Sequence, residues 1–373
     1  MRRTFAPRPA RLHPCSGAVA LRLLSFSCGI GLLGCAGGLQ LGMVQAAYQR
    51  PSNVAVFFTV ETREAVPVAD LLATDFNIYE DGQLVSLNES RQTIVNPEIA
   101  AEHYTILLVD ISASVTESGQ AQLVYAAASE FLSTLQAYQR VAVYAFDGAA
   151  KLYVVTPFTR SGRRTSRGLV RLDRLRGRDP STNLHGAVVE ALGELDRGIV
   201  RSRAPLRFGT LVVFTDGTDR AHRVSYGDMM NALDESAHSV YAIGVGGEID
   251  DGTLGDIGRD GYLRVEDAGA LAEGFRQIGK RIIQVMRSYY LLSYCSPARA
   301  GLHTVTVEAV SQMLGKGALS YDFDASGFRP GCDPNRPPPF DTSRLGAPRR
   351  PSRKRGPALN LEIRAQADVS VGS

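Results

Sequence analysis

The feature that most constrains this chain is the segment from Tyr104 to Ser114, YTILLVDISAS. Its apolar and β-branched run, Thr105 to Val109, has the length and composition of a strand that is buried on both faces. Asp110, Ser112 and Ser114 follow at alternate positions, so an extended backbone points their three oxygens the same way. One short loop at the end of a buried strand therefore offers several oxygen ligands to a hard cation.

Two later segments add oxygen donors. Thr182 precedes a helical pattern in DPSTNLHGAV, and Asp216 ends a second apolar strand, LVVFTDG, where Gly217 can adopt the positive φ of a tight turn. Asp-x-Ser-x-Ser, a distant threonine and a later aspartate together resemble the metal-ion-dependent adhesion site of von Willebrand factor A (VWA) domains. An ordinary strand-to-helix cap is the alternative explanation of the first loop alone. The resemblance implies that five residues bind one divalent cation: Asp110, Ser112, Ser114, Thr182 and Asp216.

The chain around these loops alternates between strand and helix patterns. This alternation predicts a doubly wound α/β sheet with the site at the carboxyl ends of its strands. The strand patterns RVAVYAF and KLYVVTPF, at 140–146 and 151–158, are joined by a turn too short for a helical crossover. They should therefore pair antiparallel. We predict a mostly parallel, VWA-like sheet with one antiparallel strand over residues 102–288.

Both flanks of this domain have β patterns. Residues 53–98 contain a hairpin signal at Asp81-Gly82, and residues 289–330 contain alternating strands such as LHTVTVEAV. The segment V-x-D-L-x-x-x-D-F-x-I-Y-E-D-G looks like the one that precedes the VWA domain in VWFA-related exported proteins of Acidobacteria and other soil bacteria. Because neither flank is large enough to be stable alone, we expect the two to pack together as a small, sandwich-like all-β element.

The N-terminus reads as an export signal over residues 1–34, with arginines before an apolar stretch. Leu32 to Cys35 resembles a bacterial lipobox, which would make Cys35 a lipidated N-terminus and the protein an envelope lipoprotein. Cleavage after Ala46, giving a soluble secreted or periplasmic protein, and an uncleaved membrane anchor through about Met43 remain open. Residues 35–52 are predicted to be a tether, and the Pro- and Arg-rich residues 331–373 a disordered tail.

Charge and cysteine content narrow the function further. The formal net charge is +3, and five arginines precede Cys35, so the processed chain carries about 3 − 5 = −2. This balance argues against a nucleic-acid partner.

Cys295 and Cys332 would remain in an exported protein and are predicted to form a disulfide, with two unpaired thiols as the alternative. No Cys-x-x-Cys or His/Cys cluster suggests zinc or haem.

An arginine-rich stretch lies at 161–179, between the antiparallel strand and Thr182. An anion-binding rim next to the metal is one interpretation of it. A solvated helix face, with Leu169, Leu172 and Leu175 on the buried side, is the interpretation that we favour.

The predicted site favours binding over catalysis. By resemblance to VWA domains, the aspartates act partly through bound water and leave one coordination position for an acidic protein or peptide ligand. Mg²⁺ suits such a set of oxygen donors, with Mn²⁺ or Ca²⁺ as alternatives. Asp219 and His222 are candidates for contact with the ligand at the rim. The sequence offers no supported general base, so we expect a non-enzymatic envelope-anchored or secreted binding protein; the alternative is an envelope scaffold whose metal site is structural or empty.

Overall fold

The structure is a computed structural model that describes residues 38–86, 91–95, 101–117, 121–202, 206–266 and 268–340. Its strands, in chain order, are β1 Leu39–Gln49, β2 Asn53–Thr62, β3 Phe76–Glu80, β4 Gln83–Leu84, β5 Thr93–Val95, β6 Ala101–Asp110, β7 Arg140–Phe146, β8 Tyr153–Thr159, β9 Leu206–Thr215, β10 Ser239–Val245, β11 Gly261–Val265, β12 Tyr289–Cys295, β13 Leu302–Ser311 and β14 Gly315–Asp324. Its α-helices are α1 Ala113–Glu117, α2 Ala121–Gln136, α3 Gly162–Arg174, α4 Leu184–Val200, α5 Tyr226–Glu235, α6 Asp251–Ile257 and α7 Leu271–Arg287.

The central sheet has the strand order β11-β10-β9-β6-β7-β8. Its strands run parallel except for β8, which pairs antiparallel with β7. The predicted mostly parallel α/β fold with one antiparallel strand is therefore confirmed. Asp110 lies opposite Phe146 at the carboxyl end of β6, and Val109 lies opposite Phe214 of β9. The three strands consequently end at the same edge of the sheet.

Helices cover both faces of this sheet. On β6, Leu107 and Val109 face a core formed with α2, α3 and α7, while Ile106 and Leu108 face a core formed with α4, α5 and α6. All four side chains are buried, which explains why the strand is apolar at consecutive positions. Each contributes about 1.5–3 kcal/mol by removal from water, and the carboxyl end of β6 is therefore held on a rigid platform.

The segments before and after the α/β domain share two further antiparallel sheets. One has the order β1-β2-β12-β5 and the other the order β14-β13-β3-β4. β2 pairs with β12, and β3 pairs with β13, so each sheet combines strands from both flanks. The core between the sheets includes Phe58, Phe76, Tyr290 and Val307. The α/β domain is thus inserted between the two halves of a β-sandwich.

β2 joins the sandwich to the α/β domain, since both of its faces are buried. Val56 and Phe58 point into the sandwich, whereas Ala55 and Phe57 pack in a second cluster that includes Ala101 and Leu206, the first residues of β6 and β9. This junction lies at the amino ends of the central strands. Because β6 is 10 residues long, Asp110 lies about 30 Å away from the junction, at the opposite edge.

The prediction that residues 35–52 are a tether is wrong for the described part of that segment. Leu39–Gln49 is strand β1, which pairs antiparallel with β2 along its whole length. Leu39 is buried in the sandwich core, and Leu41 and Met43 pack against it. The glycine and glutamine content suggested a linker, but apolar residues at alternate positions give the segment a face to bury.

The prediction of a disordered tail over 331–373 is wrong for residues 331–340. Cys332 forms a disulfide with Cys295. The Asn53 side-chain amide donates to the carbonyl oxygens of Asp333 at 2.6 Å and Arg336 at 3.0 Å. Phe340 is buried in the junction cluster with Phe57. The disulfide and these contacts order a segment whose composition alone predicts no structure.

Several predictions fall outside the described residues: the signal over 1–34, lipidation of Cys35, and the tail beyond residue 340. Within the described ranges, no helix has the length and apolar character needed to span a membrane.

His103, near the start of β6, makes stability depend on pH. Its ring stacks on Phe208 with centroids 5.1 Å apart, and its Nε2 has no hydrogen-bond partner among the described residues. Burial, and to a lesser degree the charge of Arg160, lowers the pKa of His103 to about 3, whereas an unfolded histidine titrates near 6.5. The unfolded chain therefore binds the proton first, and stability falls as pH drops from about 6.5 towards 3.

We expect His103→Phe to remove this acid sensitivity while keeping the stacked ring. At about 1.4 kcal/mol per pH unit, the wild type should lose roughly 2 kcal/mol of unfolding free energy between pH 6.5 and 5 that the variant retains. Urea unfolding at several pH values measures the difference. The exposed His222, replaced by asparagine, is the control and should leave the wild-type slope unchanged.

Candidate metal centre

Asp110 anchors the first loop of the candidate site. Its side chain is 0% exposed at the end of β6. Its Oδ1 accepts a hydrogen bond from the Ser112 backbone at 2.9 Å, and its Oδ2 accepts one from the Thr215 hydroxyl at 2.7 Å. These contacts fix the turn into α1 and leave Ser112 and Ser114 on the side of the loop that faces the neighbouring strand end.

Hydroxyl contacts link the first loop, at the end of β6, to the loop that follows β9, which we call the third loop. Ser112 Oγ and Ser114 Oγ lie 3.2 Å apart, and Ser114 Oγ donates to Asp216 Oδ1 at 2.9 Å. Asp216 follows β9 directly, next to β6 in the sheet. The structure therefore brings four of the five predicted ligands into one chain of short polar contacts.

Thr182 reaches the same place from a second loop, just before α4, and is 3% exposed. Its carbonyl oxygen accepts hydrogen bonds from the backbone of Arg220 at 2.9 Å and Ala221 at 3.0 Å. A Cβ built on Gly217 would lie 4.0 Å from Thr182 Oγ1, so the threonine hydroxyl faces the turn that follows Asp216. All five predicted residues thus come from loops that meet at one edge of the sheet.

The electrostatics of the site favour a cation. Burial raises the pKa of Asp110 to about 7, and the Asp216 carboxylate adds to the rise, while hydrogen bonds from Ser112 and Thr215 oppose it. Burial also raises the pKa of Asp216, and the Glu248 carboxylate adds to that rise. Two carboxylates that disfavour each other's charge gain from a divalent ion between them.

The donor set fits a hard divalent cation. The three hydroxyls and two carboxylates offer only oxygen, which Mg²⁺ prefers, and bound water can complete such a set. Within the described ranges, no group of three or more His, Cys, Asp or Glu side chains is placed to hold a metal ion. The structure brings the loops of the five predicted residues together, and their binding of one ion stays a prediction.

Two buried residues that support the site escape the sequence analysis. Thr215, fully buried, bridges Asp110 Oδ2 and the Gly217 turn. Asp147, fully buried after β7, accepts hydrogen bonds from the Tyr153 hydroxyl at 2.8 Å and from backbone amides at 149, 178 and 179. Its carbonyl oxygen also accepts from the Asn183 backbone at 3.0 Å. An acid placed directly after a buried strand was the signal that could have identified Asp147.

Asp147 positions the loop that carries Thr182, and its replacement should weaken metal binding. In Asp147→Asn, the side-chain NH₂ faces amide donors and leaves them without an acceptor. Supporting residues of this kind typically change metal affinity by about 10–100-fold, and we expect a loss near the lower end. Calorimetric titration with Mg²⁺ measures it. Asp322→Asn, which removes a carboxylate from the β-sandwich, should leave the affinity at the wild-type value.

The two predicted rim residues differ in the structure. The Asp219 side chain is only 2% exposed and accepts hydrogen bonds from the backbones of His185 at 3.0 Å and His222 at 2.9 Å, so its burial does not favour the predicted contact with a ligand. Asp219 therefore shapes the third loop from within. His222 is 81% exposed and faces solvent, as do Arg220 and Arg178 on the neighbouring loops.

Comparison with known families gives one match, which spans most of the central sheet and the candidate site. The sequence profile of the von Willebrand factor type A domain matches residues 106–277. This segment is a von Willebrand factor A domain. The match begins inside β6 and ends inside α7, and it includes all five predicted ligands. A search of curated proteins returns no match.

The chain is similar to several solved structures, all at low sequence identity. A von Willebrand factor type A protein from Catenulispora acidiphila is 13% identical, with a TM-score of 0.43 over 76% of this chain and 73% of that one. Proximal thread matrix protein 1 from the mussel byssus, with a zinc-occupied MIDAS motif, is 15% identical, with a TM-score of 0.42 over 49% and 48%. The domain of the pilus tip protein Mfa5 from Porphyromonas gingivalis is 9% identical, with a TM-score of 0.37 over 49% and 96%. This chain spans about half the length of the mussel protein.

Proposed function

We propose that this protein is a non-catalytic binding protein of the cell envelope, whose VWA domain captures an acidic protein ligand through a bound Mg²⁺ ion. The observation that carries the proposal is the meeting of Asp110, Ser112, Ser114, Thr182 and Asp216 at one edge of the sheet. Their oxygens would hold the ion directly or through water. The ion, when bound, supplies a positive centre that accepts a carboxylate oxygen of the partner.

Exposure and charge around the site support a carboxylate ligand. Ser114 is exposed, so the site opens to solvent on that side. Arg178 and Arg220 lie in the loops around it, and both are exposed. Arg220 forms an ion pair with Glu248 at 2.5 Å, which holds its guanidinium next to the Asp216 turn. These cationic groups attract an acidic partner before it reaches the ion.

The disulfide and strand β1 support an exported, membrane-anchored protein. Disulfides such as Cys295–Cys332 persist in oxidising compartments outside the cytosol. Cleavage after Ala46 would remove most of β1, which covers the edge of β2. Processing at Cys35 keeps the strand whole, and we propose this site, with lipidation of Cys35, over the later one.

The mature N-terminus tests this proposal for the anchor. We expect the exported protein to begin at Cys35 and to carry a lipid mass on it. A protein that begins after Ala46 should unfold more easily, because the exposed β2 edge would have lost its partner. Intact-mass measurement of protein purified from the envelope distinguishes the two. A mature chain that begins at residue 47 would contradict the proposal.

Ligand capture tests the proposed function. Immobilised protein should retain its partner from envelope extract in Mg²⁺, release it into EDTA, and fail to retain it as Asp110→Asn. Blocking carboxyl groups of the extract by carbodiimide-driven amidation should also abolish retention, because the partner carboxylate is then neutral. Asp322→Asn is the control and should retain the partner. Retention that survives EDTA and amidation would favour the envelope scaffold whose metal site is structural or empty.

A further inference from the structure

Helix α3 carries a row of five arginines along one side. At 100° per residue, the five positions fall within an arc of about 100° and extend over roughly 16 Å of helix. All five are exposed. The opposite side is buried through Thr165, Leu169 and Leu172. We call the row the arginine stripe: Arg163, Arg164, Arg167, Arg171 and Arg174.

The helix is fixed in place with the stripe outwards. A Cβ added to Gly168 would lie within bonding distance of Thr156 on β8, so α3 packs against the edge strand at close range. Leu172 is fully buried in the core shared with α2 and α7. The guanidinium groups therefore project from a rigid element and are ordered along one line.

No side chain that the structure describes forms an ion pair with any arginine of the stripe. Several other exposed arginines of the α/β domain do form ion pairs: Arg197 pairs with Glu190 and Glu194, Arg264 with Asp251, and Arg276 with Glu273. These arginines have an acid within ion-pair distance, and the five arginines of the stripe have none among the side chains that the structure describes.

The stripe also breaks two rules of helix stability. Arg163, Arg167 and Arg171 follow one another at i,i+4 spacing, where like charges repel. Arg163 and Arg164 lie in the first turn, which has no acidic residue and no side-chain cap from Ser161, although the helix dipole disfavours cations there. Residues that violate local rules without visible compensation indicate function.

The positive charge of the stripe does not continue onto the neighbouring helix. The neighbouring helix α2, AQLVYAAASEFLSTLQ, contains no lysine or arginine. A flat membrane surface would meet both helices and gain little from the second. A linear polyanion can instead lie along the stripe alone. Each guanidinium can then bind a phosphate or sulfate group through two parallel hydrogen bonds.

We propose that the arginine stripe is a second binding surface, which takes a linear polyanion made of phosphate or sulfate groups. The surface contains none of the metal-site residues, so the protein can hold an acidic ligand at the ion and a polyanion along α3. A polyanion of this kind in the envelope gives the protein a second, salt-sensitive attachment.

Fluorescently labelled inorganic polyphosphate is the probe, and anisotropy with the full chain measures its binding. The titration is done in EDTA, so the metal site takes no part and failure of the proposed function does not affect the result. The test variant is Arg163→Gln with Arg167→Gln and Arg171→Gln, since glutamine keeps the helix propensity of arginine. The control removes three ion-paired arginines: Arg197→Gln, Arg264→Gln and Arg276→Gln.

The test variant should bind at least about tenfold more weakly than the wild type, and the control within about twofold. The slope of log Kd against log salt concentration should fall by about three in the test variant, one for each lost contact. The melting temperature of the test variant should equal or exceed that of the wild type, because repulsion along the helix is relieved.

Four results would overturn the proposal. The first is wild-type protein that does not bind polyphosphate, and the second is equal loss in test variant and control, which would mean that only net charge matters. The third is binding abolished by Arg349→Gln, Arg350→Gln and Arg353→Gln in the basic tail. The fourth is preference for phosphatidylglycerol vesicles over polyphosphate through the same stripe, which would make the partner a membrane.

Discussion

Asp110→Asn is expected to abolish stabilisation of this protein by Mg²⁺. A ligand present at 100 times its Kd stabilises a folded protein by about 2.7 kcal/mol, and the wild type should show a gain of this size. The variant should show none, because Asp110 is one of the two carboxylates in the site. Thermal melting followed by circular dichroism, with Mg²⁺ and with EDTA, measures the gain.

In EDTA the same variant should be at least as stable as the wild type. The Asp110 carboxyl is fully buried and its pKa is raised to about 7, so the charged form is disfavoured in the absence of a cation. Asparagine keeps the shape and retains an oxygen for the Ser112 amide. Asp322→Asn serves as the control and should keep the full Mg²⁺ effect. A variant that melts lower than the wild type even in EDTA would show that Asp110 is a structural residue instead.

Loss of the Cys295–Cys332 disulfide is expected to cause the largest loss of stability. The bond joins residues 37 positions apart, and closing a loop of that length stabilises a fold by about 3–4 kcal/mol through the entropy of the unfolded chain. Without it, residues 333–340 keep their hydrogen bonds with Gln49, Asn53 and Thr93 and their packing in the cluster around Phe57. Cys295→Ala with Cys332→Ala should therefore unfold at lower urea concentration.

The loss should fall on the β-sandwich and leave the metal site intact. Cys295 ends β12, which pairs with β2 and β5, whereas the five metal-site residues lie in loops of the central sheet. Mg²⁺ affinity of the double variant, measured below its unfolding transition, should match the wild type. Reduction and alkylation of the wild type is a second way to remove the disulfide. Wild-type protein treated with the alkylating agent but no reductant is its control. Equal stability of reduced and oxidised protein would contradict the expectation.

The central sheet and its site were accessible from sequence because their signals are local. A strand buried on both faces is apolar or β-branched at every position, as in Thr105 to Val109, and its polar end marks the edge of the sheet. Asp110 and Asp216 each follow such a run directly. Parallel strands that end at one edge then bring distant loops together without further information.

The errors of the sequence analysis concern contacts that composition does not report, whether the partner is the next strand or lies far away in the chain. Residues 39–49 form a strand because β2 offers its edge, and residues 331–340 are ordered because a disulfide and Asn53 hold them. Composition cannot report either contact. Asp219 was placed at the rim of the site, but its buried carboxylate accepts hydrogen bonds from the backbone amides of His185 in α4 and His222 in its own loop.

The supporting residues of the site were missed for a similar reason. In the sequence, Thr215 resembles any β-branched strand residue. Only the structure shows that its hydroxyl donates a hydrogen bond to the Asp110 carboxylate. Asp147 bonds four donors from two loops, a role that depends on how those loops fold. Residues that would contact an ion can be recognised from sequence motifs. The residues that hold those ligands in place can be recognised only from the tertiary structure.

The most direct measurement of the central claim is anomalous diffraction from crystals of the protein grown with Mn²⁺, which scatters strongly where Mg²⁺ does not. We predict a single strong peak at the carboxyl edge of the central sheet, within bonding distance of the Ser112 and Ser114 hydroxyls and enclosed by Asp110, Thr182 and Asp216. A peak elsewhere, or saturating Mn²⁺ with no peak at this edge, would contradict the account.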